Sequence, residues 1–318
     1  MAWDFPIEQE FRSKLDWNEH RGRVVMLGGG AALALAVVGL TLALGGGAGG
    51  GDPARTAAPA RVDRFDSQRA FAELARQVAL GPRPAGSRKL RRLAERLRRE
   101  LPGGRFERIP GHPRLRNVVG RLPGTRPAIV IAAHYDTKRL PRFVGANDGA
   151  AGTAAVVELA RALRRAGRPA GARELRFVLF DGEEATDDTR PITETGLRGS
   201  TAYAERHARD VGAVILLDFI AAKNLSIRRE GYSDRALWSR LRDAARAVGA
   251  GAAFPAGSGA AITDDHVPFL ARGIPSIDLI QWPYGCWHQP CDDLDAVSER
   301  SLDLTGESVL QLVRTLTR

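Results

Sequence analysis

The chain is poor in cysteine, methionine, lysine and aromatic residues. Its 318 residues include two cysteines, two methionines and 6% aromatic residues. The number and spacing of the cysteines exclude a zinc site of the C-x2-C type. Arginine carries most of the net charge of +10, because lysine is confined to Lys14, Lys89, Lys138 and Lys223. No nucleic-acid-binding motif accompanies this charge, so we expect solvated arginine-rich helix faces and no nucleic-acid partner.

The two cysteines, Cys286 and Cys291, flank His288. They form a disulfide if this part of the chain lies outside the cytosol, or they remain two free thiols. Loop geometry decides whether so short a bridge can close, and the sequence leaves both alternatives open.

The N-terminal part of the chain divides into three segments before a soluble domain at 63–318. Residues 1–23 are polar, 24–44 are apolar and uncharged, and 45–62 form a Gly/Ala/Pro linker. The apolar segment is long enough to span a bilayer, and its glycines and the following linker argue against a buried core helix. We therefore predict a transmembrane signal-anchor. The basic residues that precede it favour a cytoplasmic tail and an extracytoplasmic domain: Arg12, Lys14, Arg21 and Arg23.

The soluble domain alternates helical and strand-like patterns. The spacing of apolar residues predicts helices over 67–80, 87–101, 152–167, 233–249, 266–273 and 298–316. Short or continuous apolar runs predict strands over 105–110, 117–122, 128–136, 174–184, 212–220 and 274–280. This alternation predicts an α/β domain with a mixed, mostly parallel central sheet and helices on both faces. In such sheets, ligands bind beyond the carboxyl ends of the strands.

Histidine and carboxylate side chains occur at these predicted strand ends. His134 ends one strand, and Glu183 and Glu184 end another. These residue types are ligands of catalytic zinc. In a pair of adjacent glutamates, one can bind the metal while the other transfers protons. Strand alternation places Asp136 on the same face as His134, where it can orient the imidazole.

The other candidate site residues could instead have purely structural roles. Asp148 lies in a Gly-rich turn before a helix, where it is either a helix N-cap or a metal ligand. Asp218 lies within the apolar run LLDFI, where a lone buried carboxylate needs a cation or hydrogen-bond donors. Asp264 belongs to a doubled aspartate before a short helix, and His288 lies in a loop. His207 has no companion residues and is predicted on a helix surface.

Taken together, these motifs resemble the zinc aminopeptidase and glutaminyl cyclase family (metallopeptidase clan MH). The motifs are AHYDTK, GANDGAAGTAAVVELARAL, FDGEEA, LRGSTAYAE, LLDFIAA, DDHVPFLARGIP and WHQPCDD. The features GPRP, HYDTK, FDGEEA, DDHVPFL and a tryptophan before the last histidine are most similar to glutaminyl-peptide cyclotransferases. The resemblance implies an αβα sandwich.

The resemblance also implies a metal centre. A single zinc would be bound by Asp148, Glu184 and His288. In the related aminopeptidases, His134 and Asp218 join these ligands to hold a second zinc, with Asp148 bridging. Because all five positions are filled, the sequence is compatible with one or two zinc ions.

The resemblance assigns the remaining roles as well. Glu183 matches the general acid/base, and Asp264 matches a carboxylate that completes a hydrogen-bond network with Glu183 and Asp218. Trp287 would wall the substrate pocket. The chain differs from the cyclases after the Glu-Glu pair, where ATDDTRPITETG contains no aromatic residue, and before Trp287, where it reads WPYGC.

Three hypotheses of function follow. The first is cyclisation of an N-terminal glutamine of a peptide to pyroglutamate, with release of ammonia. The second is a two-zinc aminopeptidase, in which Glu183 activates a water molecule and His134 and Asp218 are ligands. The third is a non-catalytic, membrane-anchored binding ectodomain, which the presence of every ligand position and of Glu183 makes the least favoured.

Overall fold

A computed structural model describes residues 64–317, which contain six strands and eight α-helices. The strands are β1 Arg105–Arg108, β2 Arg116–Leu122, β3 Thr125–His134, β4 Arg173–Phe180, β5 Val211–Leu217 and β6 Ser276–Leu279. The helices are α1 Ser67–Val78, α2 Arg88–Glu100, α3 Gly152–Arg165, α4 Ile192–Thr195, α5 Arg198–His207, α6 Arg235–Ala247, α7 Val267–Leu270 and α8 Glu299–Leu316.

All six strands form one sheet in the order β1-β2-β4-β3-β5-β6. β4, β3, β5 and β6 are parallel to one another, whereas β2 is antiparallel to both β1 and β4. The predicted mixed, mostly parallel sheet is therefore confirmed. The carboxyl ends of β3, β4 and β5 lie side by side, because these three strands are parallel neighbours.

Helices cover both faces of the sheet. Successive side chains of a strand point to opposite faces, and in β3 the side chains of Ile129 and Ile131 contribute to one apolar core, whereas Val130 and Ala132 contribute to the other. The first core contains residues of α1, α2, α3, α6 and α8. The second contains residues of α5 and α7. The structure is thus the predicted αβα sandwich.

The strands of the parallel part end earlier than their apolar patterns predicted. β3 ends at His134 and β4 at Phe180, so Asp136 and Glu183 lie in the following loops. Within residues 64–317, no helix combines the length and the apolar character that crossing a membrane requires. The predicted tail, signal-anchor and linker lie outside these residues.

One expectation about the surface is wrong. His207, at the end of α5, was expected to have no companion, but its Nε2 atom lies 2.9 Å from Oε2 of Glu107 on β1. Glu107 also accepts hydrogen bonds from Arg105 at 2.8 Å and from Arg206 at 3.3 Å. Burial alone would raise the pKa of Glu107, but the contacts with His207 and Arg105 lower it to about 2.

We expect Glu107→Gln to lower the free energy of unfolding by about 1 to 2 kcal/mol at pH 7, because solvent partly screens the contacts of Glu107 with Arg105 and His207. Because the folded pKa lies below the ordinary value, this stabilisation is present above about pH 4.5 and is lost as the pH falls towards 2. Urea unfolding at pH 7 and pH 3 measures it. Glu205→Gln, which alters an exposed ion pair with Arg272, is the control and should change stability by less than about 1 kcal/mol. A Glu107→Gln effect of equal size at both pH values would contradict the prediction.

Candidate active site

The loops after three parallel strands bring the predicted catalytic residues together. His134 is the last residue of β3, Asp218 directly follows β5, and Glu183 and Glu184 follow β4. All four side chains are buried. This is the edge of the sheet at which the sequence predicted a ligand site.

Asp148 reaches this edge from an irregular turn, Ala146–Ala151, that precedes α3. Gly149 has φ +90°, and a Cβ atom there would lie 2.7 Å from the carbonyl oxygen of Asp136. Glycine is therefore required where the turn packs against the end of β3. The N-cap residue of α3 is Ala151, so the N-cap interpretation of Asp148 is wrong.

The metal-ligand candidates form two groups that share Asp148. In each group the candidate ligand atoms lie within 4.8 Å of one another. In the first, Nε2 of His134 lies 3.2 Å from Oδ1 of Asp148 and 3.4 Å from Oδ1 of Asp218. In the second, Nε2 of His288 lies 3.7 Å from Oδ2 of Asp148 and 3.2 Å from Oε2 of Glu184. Asp148 therefore lies between two places at which a cation can bind.

The chemistry of these groups suits a divalent cation. Burial, and then the charge of Asp148, raises the pKa of Glu184 to about 7, although His288 opposes the shift. Burial likewise raises the pKa of Asp218 to about 8, with His134 opposing and Asp264 adding to it. A bound cation removes this repulsion. Histidine nitrogen and carboxylate oxygen are ligands that zinc takes, so the residues present fit zinc.

Asp136 connects the first metal-ligand group to the predicted proton carrier. Its Oδ1 atom lies 3.7 Å from Nδ1 of His134 and accepts the backbone N–H of Glu183 at 3.2 Å. The predicted position of Asp136 beside His134 is thus what the structure shows, although Asp136 lies beyond the strand. In addition, Asp136 fixes the backbone that carries Glu183.

Glu183 lies among other acids. Burial raises its pKa well above the ordinary value; His134 opposes the shift, and Glu184 and Asp264 increase it. The charge of Asp264 also raises the pKa of Asp218. The hydrogen-bond network that the family resemblance implies among Glu183, Asp218 and Asp264 stays a prediction. A buried carboxyl group with a raised pKa is suited to accepting and returning a proton.

Asp181, in the same sequence motif, has a different environment. Its Oδ2 atom accepts hydrogen bonds from the backbone of Arg116 at 2.9 Å and from the hydroxyl of Tyr135 at 3.1 Å. It belongs to neither metal-ligand group. Of the carboxylates in FDGEEA, Glu184 alone is therefore a candidate ligand.

Sequence reasoning missed Asp292, which supports Asp148. The carboxylate of Asp292 is buried and accepts the backbone N–H groups of Asn147 at 2.8 Å and Asp148 at 3.1 Å. Tyr284 donates its hydroxyl to the same carboxylate at 2.8 Å. Asp292 lies in the quoted motif WHQPCDD, but neither its spacing nor its neighbours indicate this long-range role.

Arg83, in the motif GPRP, was also missed. Its side chain is fully buried and donates to the carbonyl oxygen of Gly145 at 3.1 Å, next to the turn of Asp148. Burial lowers the pKa of Arg83 to about 10, whereas the negative charges of Asp148 and Asp292 oppose the shift. Arg83 thus places a positive charge behind the acidic site.

Cys286 and Cys291 form a disulfide with a Cα–Cα distance of 5.4 Å. The bridge closes the segment that carries Trp287 and His288. His288 has φ +53°, a conformation in which a non-glycine residue is strained and needs support from its surroundings. The disulfide and the edge-on contact of Phe143 with His288, at 5.7 Å between ring centroids, supply such support.

We expect replacement of both cysteines by serine to weaken zinc binding about tenfold, because the loop that positions His288 is no longer closed. Competition with a chelating indicator measures the affinity, and reduced wild-type protein should behave as the variant does. Unchanged affinity in the folded variant would contradict the prediction.

Aromatic residues form one side of the site. Trp287 is 45% exposed, stacks on His288 at 4.5 Å between ring centroids and contacts Trp282 edge-on at 5.0 Å. Trp282 stacks on Phe219 at 6.3 Å, and Phe219 lies 5.4 Å from Tyr284. The WPYGC segment, in which the sequence differs from the cyclases, thus contributes two aromatic rings beside the metal-ligand groups.

Comparison with known proteins agrees with this site. The family profile of peptidase family M28 matches residues 117–313, which include every candidate metal ligand. The chain belongs to peptidase family M28. The resemblance inferred from the motifs is thereby confirmed.

The M28 chain is also similar to individual proteins. It is 26% identical over 225 residues to the glutaminyl-peptide cyclotransferase of Drosophila melanogaster, with 61% of this chain and 63% of that protein covered. It is 28% identical over 274 residues to the glutaminyl-peptide cyclotransferase-like protein of Mus musculus, with 73% and 71% covered. The crystal structure of an Acidobacteriales bacterium glutaminyl cyclase matches with a TM-score of 0.71 and 29% identity, covering 80% of this chain and 96% of that one. The chain therefore spans less than two thirds of the Drosophila relative.

Proposed function

We propose that this M28 protein is a zinc-dependent glutaminyl cyclase, which converts an N-terminal glutamine of a peptide to pyroglutamate and releases ammonia. The observation that carries the proposal is the arrangement of Trp287 stacked on His288, beside a metal-ligand group and a cluster of buried carboxyl groups. The similarity to glutaminyl-peptide cyclotransferases supports it. The proposed substrates are peptide and protein N-termini.

The metal would be bound by Asp148, Glu184 and His288. When bound, zinc supplies Lewis-acid polarisation of the carbonyl group of the glutamine side chain. Trp287 and Trp282 provide an apolar wall against which the short glutamine side chain can pack. Arg83 and Asp292 hold the turn of Asp148 in place.

The proton transfers would be carried by Glu183. Its carboxylate accepts a proton from the α-amine as the nitrogen attacks the side-chain carbonyl carbon. A carbon–nitrogen bond forms, the bond to the amide nitrogen breaks, and Glu183 returns the proton to the departing ammonia. Burial, and then the charges of Glu184 and Asp264, hold the pKa of Glu183 above its ordinary value. Asp218 and Asp264 would complete the hydrogen-bond network around Glu183.

Zinc-loaded protein incubated with Gln-initiated peptides tests the proposal. We expect release of ammonia and loss of the mass of one ammonia from the peptide. The matched peptide with N-terminal asparagine is the control, because its shorter side chain cannot close the five-membered ring. Intact Gln-peptide after prolonged incubation would refute the cyclase assignment.

A two-zinc aminopeptidase is the second candidate. The observation that favours it is the group formed by His134, Asp148 and Asp218, which offers ligands for a second cation. In this case Glu183 would take a proton from an attacking water molecule. Release of free amino acids from peptides, together with two zinc ions per chain, would support the aminopeptidase. One zinc ion per chain without released amino acids would reject it.

We also infer that residues 24–44 anchor the protein in a membrane, with residues 1–23 in the cytoplasm and the domain at 63–318 on the other side. The length of this uncharged stretch supports the inference. Fractionation of cells that produce the full chain tests it, with a chain lacking residues 1–62 as the control. Full-length protein that is extracted from membranes by alkaline washing would disprove the anchor.

A further inference from the structure

A second buried cluster lies behind the predicted catalytic carboxyl groups, around Glu230. Oε1 of Glu230 accepts the backbone N–H groups of Tyr232 and Ile262, each at 2.8 Å. Oε2 accepts the backbone N–H of Ser233 at 2.8 Å and its hydroxyl at 2.9 Å, and lies 3.1 Å from Nε2 of His266. Glu230 therefore joins the segment after it to the segment that carries Asp264.

His266 lies between Glu230 and the site. Its side chain is fully buried, and its second ring nitrogen, Nδ1, lies 3.9 Å from Oδ2 of Asp278 on β6. Asp278 is also fully buried, and its backbone N–H donates to the hydroxyl of Ser233 at 2.9 Å. The imidazole is thus within hydrogen-bond distance of Glu230 and lies beside Asp278, to which Nδ1 makes no hydrogen bond.

Asp278 extends the cluster to the active site. Burial raises the pKa of Asp278 well above its ordinary value, and the neighbouring carboxyl groups of Asp264 and Asp218 raise it further. Burial alone would also raise the pKa of Glu230, but hydrogen bonds from His266 and from backbone N–H groups lower it. The cluster therefore extends from the hydrogen-bonded carboxylate of Glu230 to His266, and from there, without a hydrogen bond, to Asp278 beside Asp264. Glu230 contacts the segment of Asp264 on both sides of that residue, at the backbone N–H of Ile262 and at His266.

We infer that Glu230, His266 and Asp278 are positioning residues that hold Asp264 against Glu183. This inference rests on the proposed function, because Glu183 is the proton carrier in both enzymatic candidates. Substrate and metal contact none of the three in this scheme. Their loss should therefore reduce the rate of proton transfer while leaving substrate and zinc binding intact.

Variants of the cluster test this inference in the zinc-loaded protein. The measured reaction is the one that the wild type catalyses, either cyclisation of Gln-peptides or release of amino acids from peptides. We expect His266→Ala and Asp278→Asn to lower kcat about 10- to 100-fold, within the range that general acid–base catalysis contributes. KM and zinc content should stay within about threefold of the wild type, since no ligand or pocket wall changes. His266→Gln, which restores a donor towards Glu230, should recover most of the lost kcat. Asp278→Asn keeps the shape of the side chain and so separates loss of function from failure to fold.

The pair of Glu107 and His207 supplies a matched control, because it is also a glutamate–histidine contact, partly buried, but lies outside the site. Glu107→Gln should lower stability and leave kcat of the folded protein unchanged. If His266→Ala and Asp278→Asn keep the wild-type kcat, or lose activity only through lost zinc, the positioning role is wrong. A wild type that neither cyclises nor hydrolyses peptides would overturn the proposed function, and the positioning role with it.

Discussion

Glu183→Gln should lower kcat about a thousandfold, because glutamine has the shape of glutamate but cannot carry the proton between the attacking and leaving nitrogens. The zinc content should stay unchanged, since Glu183 belongs to neither metal-ligand group. Ammonia release from Gln-peptides and amino-acid release from other peptides, measured at saturating substrate, give the rates.

Glu194→Gln is the matched control for this experiment. Glu194 lies on α4, within the segment that follows the Glu-Glu pair, and forms an exposed ion pair with Arg190 at 2.7 Å. It should retain wild-type kcat. A Glu183→Gln variant with near-normal turnover would assign the proton transfer to another group. If Glu183→Gln loses all turnover and Glu194→Gln keeps it, a purely binding role for the domain is excluded.

Asp148→Asn should weaken zinc binding at least a hundredfold. Loss of a residue that merely orients a ligand typically costs about 10- to 100-fold in metal affinity, and Asp148 is itself a candidate ligand in both groups. The prediction therefore holds for a one-zinc and for a two-zinc centre. Metal analysis after dialysis, together with competition against a chelating indicator, measures the affinity and the number of ions.

Asp188→Asn is the control for Asp148. Its carboxylate is 68% exposed and binds Lys138 near Glu184, but it belongs to neither metal-ligand group. Zinc affinity should be unchanged in this variant. Asp148→Asn protein that retains zinc with wild-type affinity would show that the two groups do not form the metal centre.

Much of the fold and of the candidate site is encoded locally. The apolar runs of β3, β4 and β5 are continuous because these strands are buried on both faces. Polar residues that follow such runs must lie at one edge of a parallel sheet, and His134, Glu184 and Asp218 do so for this reason. The same signal is present in Asp278, a carboxylate inside the apolar run IPSIDLI, and could have identified it.

Other features depend on contacts between distant parts of the chain. Asp292 accepts the backbone N–H of Asp148 across 144 residues, and His266 lies against Glu230 across 36. Such pairs have no periodicity and no local spacing, so one sequence contains no pattern that links them. The pairing of Cys286 with Cys291 likewise depended on loop geometry.

The sequence by itself determined the αβα class, the family resemblance and the residue types at the strand ends, because burial and strand direction act on each segment separately. Only the tertiary structure decided that two metal-ligand groups share Asp148 and that Asp292 and Arg83 hold its turn. It also decided which aromatic residues form the wall of the site. These features depend on distances of a few ångströms between loops, and such distances arise only when the whole chain packs.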